Sequence, residues 1–459
     1  MQTVQGTRLL VVAAVVSLPS VAGAFDLVLS TALRPPSGAR IDCAGGQIRP
    51  VVPSGMRGKK EIRSVPEVLI YLKDVEDVEI KNCKISGGER ALLVVRGGHH
   101  RLVANQIDAH GTAIELWASS HNLVSDNVIT FGGEGMMTRG DSDHNRVSHN
   151  VIRQYAQENN GGVGVGAFSS PDAAVVNHIV DGELTQVLNS VHMIDDLQVT
   201  DNEIDVGAES FGVTFSGRTR NGLARDNRVR GAGWSLLSAG YAFQQIFLPG
   251  WCSEDASRRC TPPGWSEDNP DDCFLSGFDA ASKGVCVGAA AVDGEVGVVG
   301  GRFLDNDVSG CEVGIIAFNA PTNRYQGNDV SGCDVGVLIA DFMLESGVVV
   351  GNRIHDNGLG LLLSNTYAAA AGATVAFNDF IANATQVAGE QFECTFEEDW
   401  SCSPVPYSLT TVLPHNHWGA TCEPPDLPAS VTTPESYATP VADRYQPGVV
   451  PADLGPYCN

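Results

Sequence analysis

An all-β solenoid is the fold class this 459-residue sequence predicts. The first observation behind it is an asparagine that recurs in the frame Asn-x-(Ile/Val/Phe): Asn105, Asn127, Asn150, Asn177, Asn202 and Asn227, then Asn306, Asn328, Asn352 and Asn378. Consecutive members of each run lie about 22 to 27 residues apart, a repeat length typical of solenoids. The second is a small residue followed by an apolar one, eight positions after the slot: Ala91-Leu92, Ala113-Ile114, Gly135-Met136, Gly314-Ile315, Gly336-Val337 and Gly360-Leu361. Cys83-Lys84-Ile85 fills the asparagine slot one turn earlier.

Each unit reads as short strands. Ile114 and Leu116 alternate with Ala113 and Glu115, as Val337 and Ile339 alternate with Leu338 and Ala340. No unit of this size buries its apolar face alone, so units stack about 4.8 Å apart into a continuous core. An asparagine at each turn tolerates a left-handed conformation, and its amide can bond to the amide of the next rung.

The Asn-x-Ile turns, the Gly-Ile-x-Leu strands and the period resemble the right-handed parallel β-helix (pectin-lyase-like) superfamily, nearest to secreted NosD-like repeat proteins. The likeness covers roughly Val68 to Thr385. Asn416-His417-Trp418-Gly419 and the Pro-rich tail are similar to the closing segment common in such proteins. The resemblance implies fold strongly and activity weakly, because the superfamily hosts lyases, hydrolases, epimerases and adhesins.

Residues 1–24 read as a secretory signal peptide, with Arg8, an apolar Leu9 to Leu18 and a small-x-small cleavage site at Ala22-Gly23-Ala24. Residues 25–66 read as an N-terminal cap and 67–390 as the β-helix. A Cys/Trp/Pro-rich insertion occupies 241–286, and 391–459 form a Cys- and Pro-rich C-terminal cap. Later segments offer no membrane span. Twelve cysteines fit an oxidising compartment outside the cytoplasm. Cys43 has Cys83 as a candidate partner. Cys311 and Cys333 share one column, in the near-identical segments ending Val-Ser-Gly-Cys. Cys252, Cys260, Cys273 and Cys286 lie in or beside the insertion, and Cys394, Cys402, Cys422 and Cys458 near the C-terminus. Their connectivity is open, and disulfides are expected over zinc because Cys-x2-Cys spacing is missing.

The net charge of -25, from 54 acidic and 29 basic residues, argues against nucleic acid as a partner. It also argues against a simple electrostatic grip on anionic glycans unless calcium bridges the two, which makes calcium the candidate cofactor.

Rung alignment points Ile114, Met136, Val213, Ile315, Val337 and Leu361 inward. The outer face then carries Glu115 and Trp117, Met137 and Arg139, and Thr214 and Ser216, with Asp141 and Arg218 just beyond strand ends. A carboxylate, an indole and a guanidinium suit a sugar, and a solvated strand face of mixed charge suits the same residues. If the protein is catalytic, β-elimination is the reaction expected, with Arg139 as base, Glu115 as a calcium or substrate ligand, and Trp117, Asp141, Ser216 and Arg218 binding substrate. Whether it is an enzyme stays open.

His99, His121 and His144 each lie six residues before a rung asparagine, so they stack. Imidazoles so placed suit copper or zinc, and the NosD-like resemblance carries a copper association. His100, Asn122 and Asn145, next in sequence, read as ordinary turn residues. Asp195-Asp196 invites comparison with polygalacturonases, but their Gly-His-Gly and Arg-Ile-Lys motifs are not matched. Asn383-Ala384-Thr385 is a glycosylation sequon. The expectation is a secreted monomer that recognises, and if catalytic processes, an extracellular polysaccharide. The alternatives are a non-catalytic surface, adhesion or structural protein, and copper handling through the histidine column.

Overall fold

The structure, a computed structural model, describes residues 8–12, 20–22, 25–51, 66–155, 162–169, 175–188, 194–217, 219–239, 298, 300–318, 322–340, 347–364, 374–395, 401–409, 411–424, 427–448 and 451–458. Arg218 and residues 241–286, with Cys252, Cys260, Cys273 and Cys286, lie outside these.

Each rung contributes one strand to each of three sheets. Arg101–Val103 belongs to sheet B, Gln106–Ala109 to sheet A and Thr112–Ser120 to sheet C. Sheet A has 13 strands and sheets B and C have 12 each. Successive rungs pair parallel and in register, as Ile107 with Ile129 and Ile114 with Met136 show. The chain is thus the parallel β-solenoid that the repeat predicts. Ile114, Met136, Val213, Ile315, Val337 and Leu361 all point inward and are fully buried. Like stacks on like inside the core, with the Phe303 and Tyr325 rings 4.9 Å apart and near parallel.

The sharp corner between sheets B and A explains the asparagines. The residue before each one takes the left-handed conformation: Ala104, Asp126, His149, Asp201, Asp226, Asp305, Gly327, Gly351, Phe377 and His415 all have positive φ. The asparagine itself follows the corner and turns its amide into the core, so the left-handed position that an asparagine tolerates is held by its predecessor. Asn127 Oδ1 accepts both the Asn105 backbone N–H, at 2.9 Å, and the Asn105 side-chain N–H, at 3.1 Å. The Asn105 amide also donates to Ile80 O at 2.9 Å. This pattern runs unbroken through Asn127, Asn150, Asn202, Asn227, Asn306, Asn328, Asn352 and Asn378 to Asn416. Cys83 takes the slot before it, donating its N–H to Asn105 Oδ1.

Asn177 is not a member of this column. Asn150 bonds directly to Asn202, and Asn177 lies on a hairpin of strands Val175–Val180 and Glu183–Leu188. The frame Asn177-His178-Ile179 matches by composition alone. Asp181 and Gly182 both have positive φ, as a tight hairpin turn requires.

Two shorter amide columns were not foreseen. His100 N–H donates to Asn122 Oδ1, and Asn122 to Asn145 Oδ1. Cys333 N–H donates to Asn357 Oδ1, and Asn357 to Asn383 Oδ1. The sequon asparagine is therefore a buried rung, its Nδ2 held by Ile354 O and Gln386 Oε1.

Disulfides join Cys43 to Cys83, Cys311 to Cys333 and Cys422 to Cys458. The first two link adjacent turns: Cys43 takes the partner that was its candidate, and Cys311 and Cys333, which share a column, pair as well. Cys394 and Cys402 stand opposite each other in an antiparallel pair. Arg8–Val12 and Ser20–Ala22, within the segment read as a leader, pair with Phe25–Leu29 and Arg40–Asp42. At the other end Trp418, buried, stacks on Phe380 at 4.7 Å and donates to Ser436 Oγ at 3.1 Å. The rungs flanking the insertion pair directly, Trp234–Ala239 against Val313–Phe318.

Replacing a column member with alanine strands several buried polar groups. Asn227→Ala takes the Oδ1 acceptor from the buried Asn202 backbone N–H and the amide donor from the Val199 carbonyl, while the Asn202 amide keeps Val147 O and Thr200 O, a loss of about 2 kcal/mol. Asn177→Ala changes stability by less than roughly 0.5 kcal/mol. Urea unfolding of the two variants tests the contrast.

His100 adds a pH dependence. Its Nδ1 accepts the Val78 N–H at 3.2 Å, its Nε2 has no partner, and burial holds its pKa down to about 4. A depressed histidine contributes full stability above its unfolded value of 6.5, and loses it as pH falls towards 4. The loss is on the order of 3 kcal/mol. His100→Asn, which continues the Asn122–Asn145 column, is expected to reduce that acid loss in urea titrations at neutral and acidic pH.

Candidate functional site

Sheet C positions the side chains read as a sugar site. Arg90, Thr112 and Glu134 form one outward row, and Leu93, Glu115 and Met137 the next. Val95, Trp117 and Arg139 form a third, continuing to Phe168 and Ser216. Glu115, Trp117 and Arg139 do come together. Trp117 Nε1 donates to Glu115 Oε1 at 2.8 Å, and the Arg139 guanidinium lies over the Trp117 ring at 5.6 Å. Arg90 and Arg139 hold the two Glu115 oxygens at 2.9 and 3.2 Å, as ion pairs without good hydrogen-bond alignment. Arg139 also donates to Glu134 Oε1 at 2.5 Å, and Thr112 Oγ1 donates to Glu134 Oε2.

This outward face is nevertheless buried. Glu115 is 5% exposed and Trp117 6%. The hairpin 175–188, which enters the chain two rungs later, folds back over sheet C. Val180 and Val187 pack with Tyr71, Leu93, Val95 and Trp117 in one apolar cluster. His178 meets the Trp117 ring edge-on at 5.1 Å. Tyr71 OH donates to Thr185 Oγ1, Ala32 N–H to Asp181 Oδ2, and Arg34 and Lys73 both pair with Glu183. The sequence reading foresaw a solvated face. It missed the hairpin, although the alternating residues around Asp181-Gly182 signal one.

The other substrate-binding candidates stand apart. Among the described residues no hydrogen bond or ion pair joins Asp141 to Glu115 or Arg139, and its Oδ1 is buried without a partner. Ser216 sits two rungs from Arg139 and donates to Ala167 O at 3.1 Å. Beside it the outer face becomes aromatic. Phe211 and Trp234 occupy adjacent rungs of one row, with rings 5.4 Å apart and edge to face. Both are half-buried, as is Phe168. Outward rows taken one rung at a time conceal such a cluster, because Phe211 and Trp234 lie 23 residues apart.

His99, His121 and His144 stack as expected, with centroids 4.9 Å apart in each step. All three have positive φ. Near-parallel imidazoles on a turn do not converge on a point, and no group of three or more metal-ligating side chains occurs among the described residues. His144 Nδ1 lies 3.2 Å from Asp196 Oδ2. Asp195 is clamped by Arg220 through Nε and Nη2, at 2.7 and 2.5 Å. No helix among the described residues is long and apolar enough to cross a membrane.

Comparison with known proteins bears on the fold. Residues 59–245 match the model of the right-handed beta helix region. Residues 286–421 match the model of the periplasmic copper-binding protein NosD. The histidine column lies outside that second match. No curated protein matches the chain. Similar solved structures include the surface protein and adhesin PfbA of Streptococcus pneumoniae, at 10% identity and TM-score 0.40, covering 81% of this chain and 87% of that one. A point mutant of DFA-IIIase from Arthrobacter chlorophenolicus A6, in complex with DFA-III, gives 10% identity, TM-score 0.34 and coverages of 87% and 84%. Alginate lyase from a Paenibacillus species gives 11%, TM-score 0.24 and coverages of 82% and 97%. These likenesses concern the fold. Taken with the in-register three-sheet solenoid, the two family matches support a NosD-like right-handed parallel β-helix repeat protein.

Proposed function

We propose that the protein is an exported monomer that binds an extracellular polysaccharide along the outer face of sheet C without turning it over. The observation that carries this reading is the half-buried aromatic pair Phe211 and Trp234, with the part-exposed Ser216 in a neighbouring row. Aromatic faces cover the apolar side of a sugar ring, and hydroxyls between them bond to its edges. Strand stacking spaces such groups about 4.8 Å apart, close to the length of one sugar unit, so a chain of sugars can run along the rungs. Three disulfides support a place outside the cytoplasm.

Binding is favoured over β-elimination by the state of Arg139. A base must present a free nitrogen to the proton it takes, and the Arg139 guanidinium is engaged with Glu115 and Glu134, while arginine has no acceptor to offer. Glu115 is equally unsuited to calcium, since both its oxygens face guanidinium groups.

Two substitutions test the assignment. Trp234→Ala is expected to weaken binding to the recognised member of a panel of neutral and acidic polysaccharides by about tenfold, measured on protein whose circular dichroism matches the wild type. Unaltered affinity would sink the proposal. Glu115→Ala leaves Arg90 and Arg139 buried without their carboxylate and is expected to destabilise the fold by about 3 kcal/mol in urea. A Glu115→Ala variant of wild-type stability would mean that its ion pairs do not hold the face together.

A further inference from the structure

The hairpin 175–188 is tied to the solenoid by two kinds of contact. Around its rim, Glu183 pairs with Arg34 and Lys73, Asp181 accepts the Ala32 N–H, and Arg96 donates to Gln186 O at 2.9 Å. Beneath it, one titratable group is sealed in. His178 is 4% exposed and its Nε2 has no hydrogen-bond partner. The charged groups facing it are Arg90 from strand Arg90–Gly98, Glu115 from Thr112–Ser120 and Arg139 from Glu134–Arg139. Trp117 closes the same side, and Glu134 lies behind Arg139. Across its own hairpin it faces Thr185.

We propose that the hairpin is an acid-released strap, in which protonation of His178 lifts it from sheet C and uncovers Glu115, Trp117 and Arg139. A second proton on the imidazole creates a buried cation beside two guanidinium groups whose shared carboxylate is already paired. Nothing else under the hairpin is placed to neutralise it among the described residues. Released, the ring gains water and the hairpin loses its inner contacts.

The titration has the right sign. Burial pushes the His178 pKa below its ordinary value of 6.5; Glu115 opposes the shift, while Arg90 and Arg139 add to it. The closed state is therefore fully stable above pH 6.5 and loses ground as pH falls below that value. The rim does not switch in that window. Hydrogen bonds from Lys73 and Arg34 hold the Glu183 pKa below its ordinary value, so its carboxylate stays charged. His178 is thus the trigger and Glu183 an anchor at the hairpin's turn. The inference does not depend on what the protein binds.

Hydrogen exchange read by mass spectrometry on the full chain tests it. Rates are compared at about pH 7.5 and about pH 5 after correction for intrinsic exchange. Peptides spanning 175–188 are expected to lose protection by about tenfold at the lower pH, while those spanning 123–131 keep theirs. His178→Phe, which retains the ring contact with Trp117 but cannot titrate, is expected to hold the hairpin closed at both pH values. His178→Gln gives the same answer if the phenylalanine variant does not fold. Unchanged protection of 175–188 in the wild type overturns the proposal, as does an acid loss of equal size in the folded variant.

Discussion

The amide column is the interaction on which this molecule depends. Parallel rungs can stay in register only if the corner between sheets B and A repeats identically, and the corner leaves buried backbone groups on each side. An asparagine at that place supplies an acceptor for two donors of the preceding rung and donors for a carbonyl and the next amide. Aspartate would set like charges about 4.8 Å apart, and glutamine is one methylene too long for the same corner. The column runs from Asn105 to Asn416, so it ties the closing segment to the body through Asn378. Because it fixes the register, it also decides which side chains become neighbours on every outer face.

That is how Glu115, Trp117 and Arg139 meet. Three outward residues from adjacent rungs form a charged patch, and the hairpin 175–188 then seals it. A buried carboxylate between two arginines is stable only as a complete set. The same geometry that makes the patch suitable for a sugar carboxylate in principle uses up its charges internally. Farther along sheet C the rows turn aromatic, with Phe211 and Trp234 half-buried on adjacent rungs, and the proposed carbohydrate contact rests on that pair.

Much of this was legible in the residues because it is strictly periodic. The inward row from Ile114 to Leu361 follows from alternation, and the Cys311–Cys333 bridge from two nearly identical segments one rung apart. Asn177 shows where periodicity misleads. Its spacings of 27 and 25 residues to Asn150 and Asn202 fall within the normal range, yet one rung with a long excursion covers the whole interval. The burial of Trp117 was illegible for a related reason: its cover comes from a segment two rungs away, and the repeat carries no information about where excursions fold. Asn122, Asn145, Asn357 and Asn383 escaped because their columns are too short to stand out as a period. The histidine stack was legible as a stack, but ring orientation, which decides metal binding, was not.

Product analysis in heavy water tests the central claim most directly. The protein is incubated with neutral and acidic polysaccharides, with calcium present, and both bound and free glycans are examined by mass spectrometry. A binding protein retains one of the glycans and returns it with unchanged mass. Unsaturated ends, added water or deuterium at carbon would show turnover, and would mean that Arg139 or another group on sheet C is freed from its ion pairs during a reaction.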